Sequence, residues 1–390
     1  MQNMQHFMSN SPWSAGAAMK LIQTDIAGIG GLRRGGVLLI DESADEKGGD
    51  GSAGVGQQYN GRMGRVDMCQ VGVFASYAQV KQGVWTWVDA ELFLPEGCFA
   101  AENAEKRQRL GIPERRRHAT KTDLAWAMIQ RAKANGLPFD LVAFDALYGV
   151  NQDLRRVIHE AGLIYMADVP HNTQVYLTEP SLEQWDGAYA HSVREVAELP
   201  DTTRQQICVR ATERGELKDV FLIRRVWTAY QRVPRAEWLV IREERSGKRY
   251  YALCNAPADT SIEQLADWRC QRYFVERTIQ DAKDQMGYAE FCAQKYLAWQ
   301  HHAALTALAT WFVAQTKYEW SQDYARDPRL RREFEMDILP ALSTPNIRLM
   351  LRAQFPLNQI SPQQAEARVV DQLIRRARSR NSRLKLQNLM

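Results

Sequence analysis

Gly36-Val37-Leu38-Leu39-Ile40-Asp41 is the stretch whose reading decides the fold. A short unbroken apolar run that ends in an acid has the pattern of a central strand buried on both faces. Phe139 to Phe144 repeats it, ending in Asp145. Between the two lie strand-like segments from Met68 to Tyr77 and from Val84 to Leu94, joined by the turn signal Lys81-Gln82-Gly83. Thr120 is placed to cap a helix running to about Asn135, with Gly136 and Pro138 closing it. A helix from Asn151 to Glu160 and a strand from Leu163 to Val169 complete the unit. The expected fold class is therefore α/β, with acids at the carboxyl ends of two strands.

Further along, the periodicity changes. Gln206 to Ala211, Val220 to Trp227, Trp238 to Glu243 and Arg249 to Asn255 read as strands of a mostly antiparallel, β-rich insertion. From Ser261 to about Tyr318 the pattern is helical, and helical pieces continue into a basic tail.

Composition narrows the class. The chain has 390 residues, enough for one large core plus a smaller unit. No apolar run reaches the ~20 residues of a membrane-spanning helix, and Met1 to Met19 lacks a signal-peptide layout, so a cytosolic protein is expected. Six cysteines without a C-x-x-C pair argue against a zinc site and a disulfide framework, and they read as small buried hydrophobes. The net charge of +4 is unevenly spread. From Arg368 onward, Arg368, Arg375, Arg376, Arg378, Arg380, Arg383 and Lys385 face only Asp371. A second basic cluster runs from Lys106 through Arg115-Arg116-Arg117 to Lys121. Both are either phosphate contacts or solvated surface.

Phosphodiester cleavage without a covalent intermediate needs an activated water or hydroxyl and a stabilised leaving oxygen. Two Mg²⁺ ions ~3.5–4 Å apart supply both, held by a few converging carboxylates. Asp41 and Asp145 suit the first two positions, although each alone is equally a polar residue leaving a strand. A helix near Arg272 to Glu276 offers the third. Arg272, Glu276 and Lys283 fall on one narrow stripe beside the apolar face of Val275, Ile279, Ala282 and Met286. Read by spacing alone, Arg272 and Glu276 are an i, i+4 surface pair.

Several blocks carry a family resemblance. Asp41-Glu42-Ser43, Ser52 to Gly61, Cys69 to Phe74, Glu91 to Pro95, Lys121 to Ala125 and Phe144 to Gly149 occur in order. Arg272, Glu276 and Lys283 then resemble a Y-x2-R-x3-E-x6-K signature. Together, from about Ser11 to past Trp311, they are similar to the IS701-type transposases within the IS4-related DDE group. The resemblance implies an RNase H-like core with a β-rich insertion domain and a helical, basic C-terminal region. It divides the chain into a helical segment at 1–35, core at 36–170, insertion at 171–260, core again at 261–320 and the C-terminal region at 321–390. It implies Asp41, Asp145 and Glu276 as metal ligands for Mg²⁺, with Mn²⁺ as substitute, and Arg272 and Lys283 as phosphate contacts. Double-stranded DNA, both transposon ends and target, would be the partner, bound by a homodimer with no membrane involved. Arg269 stands where the signature has tyrosine, and the loop Ala44 to Gly51 is more acidic than in many relatives. About forty residues precede Asp41, fewer than in relatives, which keeps a truncated nuclease targeted by a partner, or a silent DNA-binding protein, as the alternatives.

Other signals are set aside. Gly49-x-Gly51-x-x-Gly54 formally matches a dinucleotide fingerprint but opens no helix and lies among acids. His301 and His302 are expected to be one packed and one exposed, and one of Trp85 and Trp87 to lie in the core.

Overall fold

β1 (Val37–Glu46) is buried over its first four residues because a neighbour lies on each side. The computed structural model describes residues 2–61, 63–181, 189–212, 215–231, 233–323, 342–354, 361–364, 366–371 and 373–374. After helices α1 (Gln2–Ser9) and α2 (Ala15–Gly28) come β1, β2 (Val55–Asn60), β3 (Arg65–Gln79) and β4 (Val84–Leu92). Helices α3 (Ala104–Arg109) and α4 (Lys121–Ala134), β5 (Leu141–Phe144), α5 (Ala146–Gly149), α6 (Gln152–Glu160) and β6 (Tyr165–Val169) follow. Next are β7 (Gln174–Val175), β8 (His191–Ser192), α7 (Val193–Val196), β9 (Thr203–Thr212), β10 (Gly215–Tyr230), β11 (Val233–Glu243) and β12 (Arg249–Cys254). Helices α8 (Ile262–Gln271), α9 (Tyr273–Gln285) and α10 (Tyr296–Asp323) come after them, and Thr344–Gln354 is a further helix.

One ten-stranded sheet runs β2-β3-β1-β5-β6-β12-β11-β10-β9, with β4 also paired to β3. Strands β1, β5 and β6 are parallel and β1 with β3 antiparallel, the mixed sheet of an RNase H-like core. The β-rich segment does not form a separate sheet: β12 pairs antiparallel with β6 and carries β11, β10 and β9 outward. The join is sealed by Glu237 of β11, fully buried, which accepts a 2.6 Å hydrogen bond from the Tyr165 hydroxyl of β6. Its carboxylate also meets the Arg155 guanidinium of α6 at 3.3 Å, so the buried charge is paired.

The main core lies on one face of the sheet. Phe74, Trp87, Trp299 and Tyr77 fill it, with Phe74 and Trp87 stacked at 4.3 Å. α10 packs on that face. Its His301 is fully buried, stacked on Trp13 at 3.9 Å, with ring nitrogens at the Met8 and Trp13 carbonyls. His302 is half-buried, with Nε2 3.0 Å from the Tyr288 carbonyl oxygen, rather than exposed as expected. Trp87 is the core tryptophan. Trp85 is half-buried on the other face, where its indole N–H donates to Asp281 at 3.0 Å and the Lys317 ammonium sits 3.5 Å above its ring. Burial pulls Lys317 down to about 7, against the pull of Asp281. Cys69 and Cys254 are buried as expected, whereas Cys208 and Cys292 are exposed, so buried packing does not describe all six.

Local signals placed several elements correctly. Thr120 caps α4 through a reciprocal capping box with Asp123, and Gly136 closes the helix at φ 74°. Asn151 caps α6 through its side chain. Two features differ. β1 does not stop at Asp41 but continues to Glu46, paired on one side only, with β3. The apolar run ends because β5 ends there, leaving Glu42 to Glu46 without a strand partner on that side among the described residues. β2 occupies the glycine-rich stretch and is held by its ladder to β3 rather than by apolar burial.

Gly149 is a position where backbone approach excludes any side chain. A Cβ there would lie 1.9 Å from the Asp168 carbonyl oxygen, whereas at Gly97 it would meet nothing within 4 Å. Gly149→Ala is expected to cost about 3 kcal/mol or to prevent folding. Gly97→Ala should stay within ~0.5 kcal/mol of wild type. Urea midpoints of the two variants check this, and equal midpoints would contradict the packing.

Candidate active site

Register places the acids. Ile40 pairs with Phe144 across β1 and β5, and Phe144 with Ala167 across β5 and β6. The next residues are Asp41, Asp145 and Asp168, so three carboxylates stand level on three adjacent strands. Residues paired across parallel strands share a face, and these three point to one side.

Asp41 Oδ1 accepts from the Glu42 N–H at 2.8 Å. Asp145 caps α5, its Oδ1 accepting from Leu147 N–H at 2.9 Å. Burial, then the adjacent Asp145, pushes Asp41 up to about 8, while Arg272 and the Glu42 N–H pull it back. Asp145 is also raised, by burial and then by Glu42. Two carboxylates held together at this depth fit a divalent cation, because a hard positive ion with oxygen ligands would relieve both burial and mutual repulsion.

Asp168 is neutralised differently. The Arg269 guanidinium lies 3.2 Å from its Oδ1 and Arg272 Nε 3.0 Å from its Oδ2. Arg269, where the family signature has tyrosine, is buried, and burial lowers its pKa against the pull of Asp168. Arg272 caps the junction between α8 and α9 and also donates to Glu276 Oε1 at 2.9 Å. Burial opposes its charge, but Asp168, then Asp41 and Glu276, outweigh that and raise it.

Glu276 sits in the first turn of α9, its side chain 59 % exposed. Among the described residues no three His, Cys, Asp or Glu side chains are arranged to hold one ion. Thus Asp41 and Asp145 are brought together, and Glu276 is not grouped with them. Arg272 links the two parts, bonded to Glu276 and close enough to draw down both aspartates. Val275 and Ala282 turn inward as expected, so the charged stripe does run beside the buried face. Lower on that stripe, Lys283 Nζ reaches the Ala44 carbonyl oxygen at 3.4 Å and so ties α9 to the free extension of β1.

Of the other basic residues, Arg115 and Arg117 are exposed, while Arg116 approaches Glu91 at 3.5 Å. Arg375, Arg376 and Arg378 lie outside the described residues. Sequence reasoning missed Asp168, although Leu163 to Ala167 followed by an acid repeats the signal that marked Asp41 and Asp145. It also missed Glu42, whose Oε1 accepts from Lys121 Nζ at 2.8 Å beside the aspartates, because a second acid in a run of acids has no distinguishing spacing. Next to this site a cleft of about 380 Å³ is lined by Asp168, Arg242, Arg269, Arg272, Tyr273 and Glu276.

A mixed α/β sheet that presents half-buried carboxylates at neighbouring strand ends has the architecture of RNase H-like nucleases. The profile of the DDE superfamily endonucleases matches residues 1–229, more than half of the sequence. The chain belongs to that superfamily. Asp41 and Asp145 fall inside the matched span and Glu276 beyond it. The chain is similar to a probable transposase for insertion sequence element IS701 of Microchaete diplosiphon, 24% identical over 303 residues, covering 76% of this chain and 69% of that protein. It is also similar to the piggyBac transposase in a synaptic complex with hairpin DNA, at 12% identity and a TM-score of 0.35, covering 86% of this chain. The chain spans 57% of the length of that piggyBac structure. Among the described residues no helix is long and apolar enough to cross a membrane.

Proposed function

We propose that the chain is a DDE transposase that nicks DNA at the ends of an insertion element and joins the freed 3′-hydroxyl to target DNA. The observation that carries this is the level, half-buried pair of Asp41 and Asp145, whose pKa values are raised by desolvation and crowding. Asp41 and Asp145 would hold Mg²⁺, with Mn²⁺ as substitute, and Glu276, the exposed partner of its ion pair, would join them on leaving Arg272. Bound divalent ions supply an activated nucleophile and a stabilised leaving oxygen. The protein's own part is positioning. Asp145 is fixed by two backbone N–H groups of α5, and Asp41 by the rigid centre of the sheet.

Arg272 and Lys283 lie on the helix stripe that carries Glu276, and we assign them to the phosphates of the transposon end. Arg115, Arg116 and Arg117 precede Lys121, which touches the site through Glu42, and they extend the same basic track. Arg375, Arg376 and Arg378 complete the assignment from sequence. In this reading 36–170 and 261–320 are the catalytic core, 171–260 the insertion, and 1–35 and 321–390 the flanking helical regions. Two ends must be held together for strand transfer, so the working form is a homodimer on double-stranded DNA, in the bacterial cytoplasm and associated with the nucleoid.

The test is cleavage of a labelled duplex and of supercoiled plasmid in Mg²⁺ or Mn²⁺, by wild type and Glu276→Gln. Glu276 is exposed and its i, i+4 pair is worth only ~0.3–0.5 kcal/mol, so the variant should fold as wild type does. Wild type should nick in a metal-dependent way and Glu276→Gln should not. Nicking that survives the substitution removes Glu276 from the site.

A further inference from the structure

β3 is longer than the strands it pairs with. Opposite Asp41 lies Phe74, and from there β3 continues back to Arg65, beyond the last residue of β1. Among the described residues, Arg65 to Met68 pair with β2 alone, so the β2–β3 hairpin projects past the end of β1 as a short two-stranded ribbon. The turn at its tip is fixed by the N–H groups of Met63 and Gly64 donating to the Asn60 carbonyl, with Gly64 at φ 66°.

The ribbon ends in apolar side chains that no described residue covers. Tyr59 is 57% exposed, Val66 61% and Met63 44%. Tyr59 and Val66 are direct cross-strand partners and so share a face. Folding gains nothing from leaving these groups in water. The surroundings indicate the occupant. From Gly51 to Val66 the sequence carries Arg62 and Arg65 and no acid, and the Arg65 guanidinium, mostly exposed, pairs with Asp67 at 3.2 Å just below the tip. Three exposed side chains fall far short of the ~800 Å² per partner that a stable protein interface buries. A two-stranded ribbon does fit the ~12 Å major groove of B-DNA, where apolar side chains meet thymine methyl groups.

We infer that the β2–β3 ribbon inserts its tip into the major groove of the DNA flanking the cleavage site, with Tyr59, Met63 and Val66 against base edges. This rests on the DNA-cleaving function proposed above. Val66 and Phe74 are eight positions apart, and at about 3.3 Å per residue the tip contacts lie roughly 26 Å from the level of Asp41. At about 3.4 Å per base pair, that is about eight base pairs from the reacting phosphate.

The experiment measures binding of the full chain to mixed-sequence duplexes of increasing length, each with a free 3′-hydroxyl end. Wild type is compared with Tyr59→Ser/Met63→Ser/Val66→Ser, with plasmid nicking and sedimentation run in parallel. Wild type should gain about tenfold in affinity as the duplex passes about eight base pairs, the scale of one or two base contacts, and the triple variant should lack that step. Both should nick plasmid in a metal-dependent way, which separates this inference from the function on which it rests. A step that persists in the variant overturns the inference. So does a variant that loses self-association while binding every duplex as wild type does, since the patch would then join two copies. If wild type binds no duplex at all, the function fails and this inference with it.

Discussion

Asp41→Asn is expected to melt higher than wild type in EDTA and to cleave no DNA. Asp41 is half-buried beside Asp145, and desolvation with that repulsion pushes its carboxyl up to about 8. A carboxyl whose pKa is higher folded than unfolded stabilises the fold only while protonated. Its contribution is intact below about pH 4 and is lost as pH rises through about 8. Asparagine has nearly the same shape without that loss, so the gap between variant and wild type should open from pH 5 to pH 8. It should reach on the order of 3 kcal/mol, shared with Asp145 because the two acids titrate together. Added Mg²⁺ should close the gap from the wild-type side, by binding the folded carboxylates and not the unfolded chain. Activity moves the opposite way, since removing a metal-holding carboxylate removes the ion's place, and a loss of at least about a thousandfold is expected. Thermal melts of both proteins with EDTA and with Mg²⁺ across that pH range, beside plasmid nicking, check it. A wild type whose melting ignores both pH and Mg²⁺ would show that this pair is not the ion's place.

How much of this was legible depends on range. Val37 to Ile40 and Phe139 to Phe144 announce buried parallel strands because burial on both faces leaves no room for polar alternation. Thr120, Asp123, Asn151 and Gly136 announce helix ends because capping is settled within a few residues. That the strands after residue 200 would extend the core sheet was not legible. It depends on β12 finding the open edge of β6, and a strand's sequence does not name its partner. The site divides the same way. Asp41 and Asp145 follow from strand ends and Glu276 from the family signature, but Asp168 becomes visible only when the register of β6 sets it level with them. Arg269 could not be read at all. Its burial makes sense only once its counter-charge on a strand about a hundred positions earlier is known.

Arg272→Ala should be among the most damaging single changes to stability, and Asp168 is the reason. The two arginines of the α8–α9 junction converge on that one carboxylate, at 3.2 and 3.0 Å. Arg272 side-chain exposure is 16% and that of Asp168 15%, so neither charge can turn to water without moving the helix. Alanine at 272 leaves Asp168 with Arg269 alone and removes the cation that draws down Asp41 and Asp145. Leaving a buried charge wholly unpaired costs about 3–5 kcal/mol, and because Asp168 keeps Arg269 a loss of about 3 kcal/mol is expected here. Arg272→Lys should recover only part of this, since one ammonium cannot span Asp168 and Glu276 as the guanidinium does. The companion Asp168→Asn should cost the fold at least as much, because it removes the counter-charge that the Arg269 and Arg272 guanidiniums share. Its effect should show in the site: Glu276 loses the fixed position of its helix, so the metal concentration for half-maximal nicking should rise several-fold. Denaturation curves for the three variants and metal titrations of nicking for Asp168→Asn separate the two effects. If Arg272→Ala unfolds with wild type, the buried cluster is not what seats α9 on the sheet, and Glu276 would need another route to the aspartates.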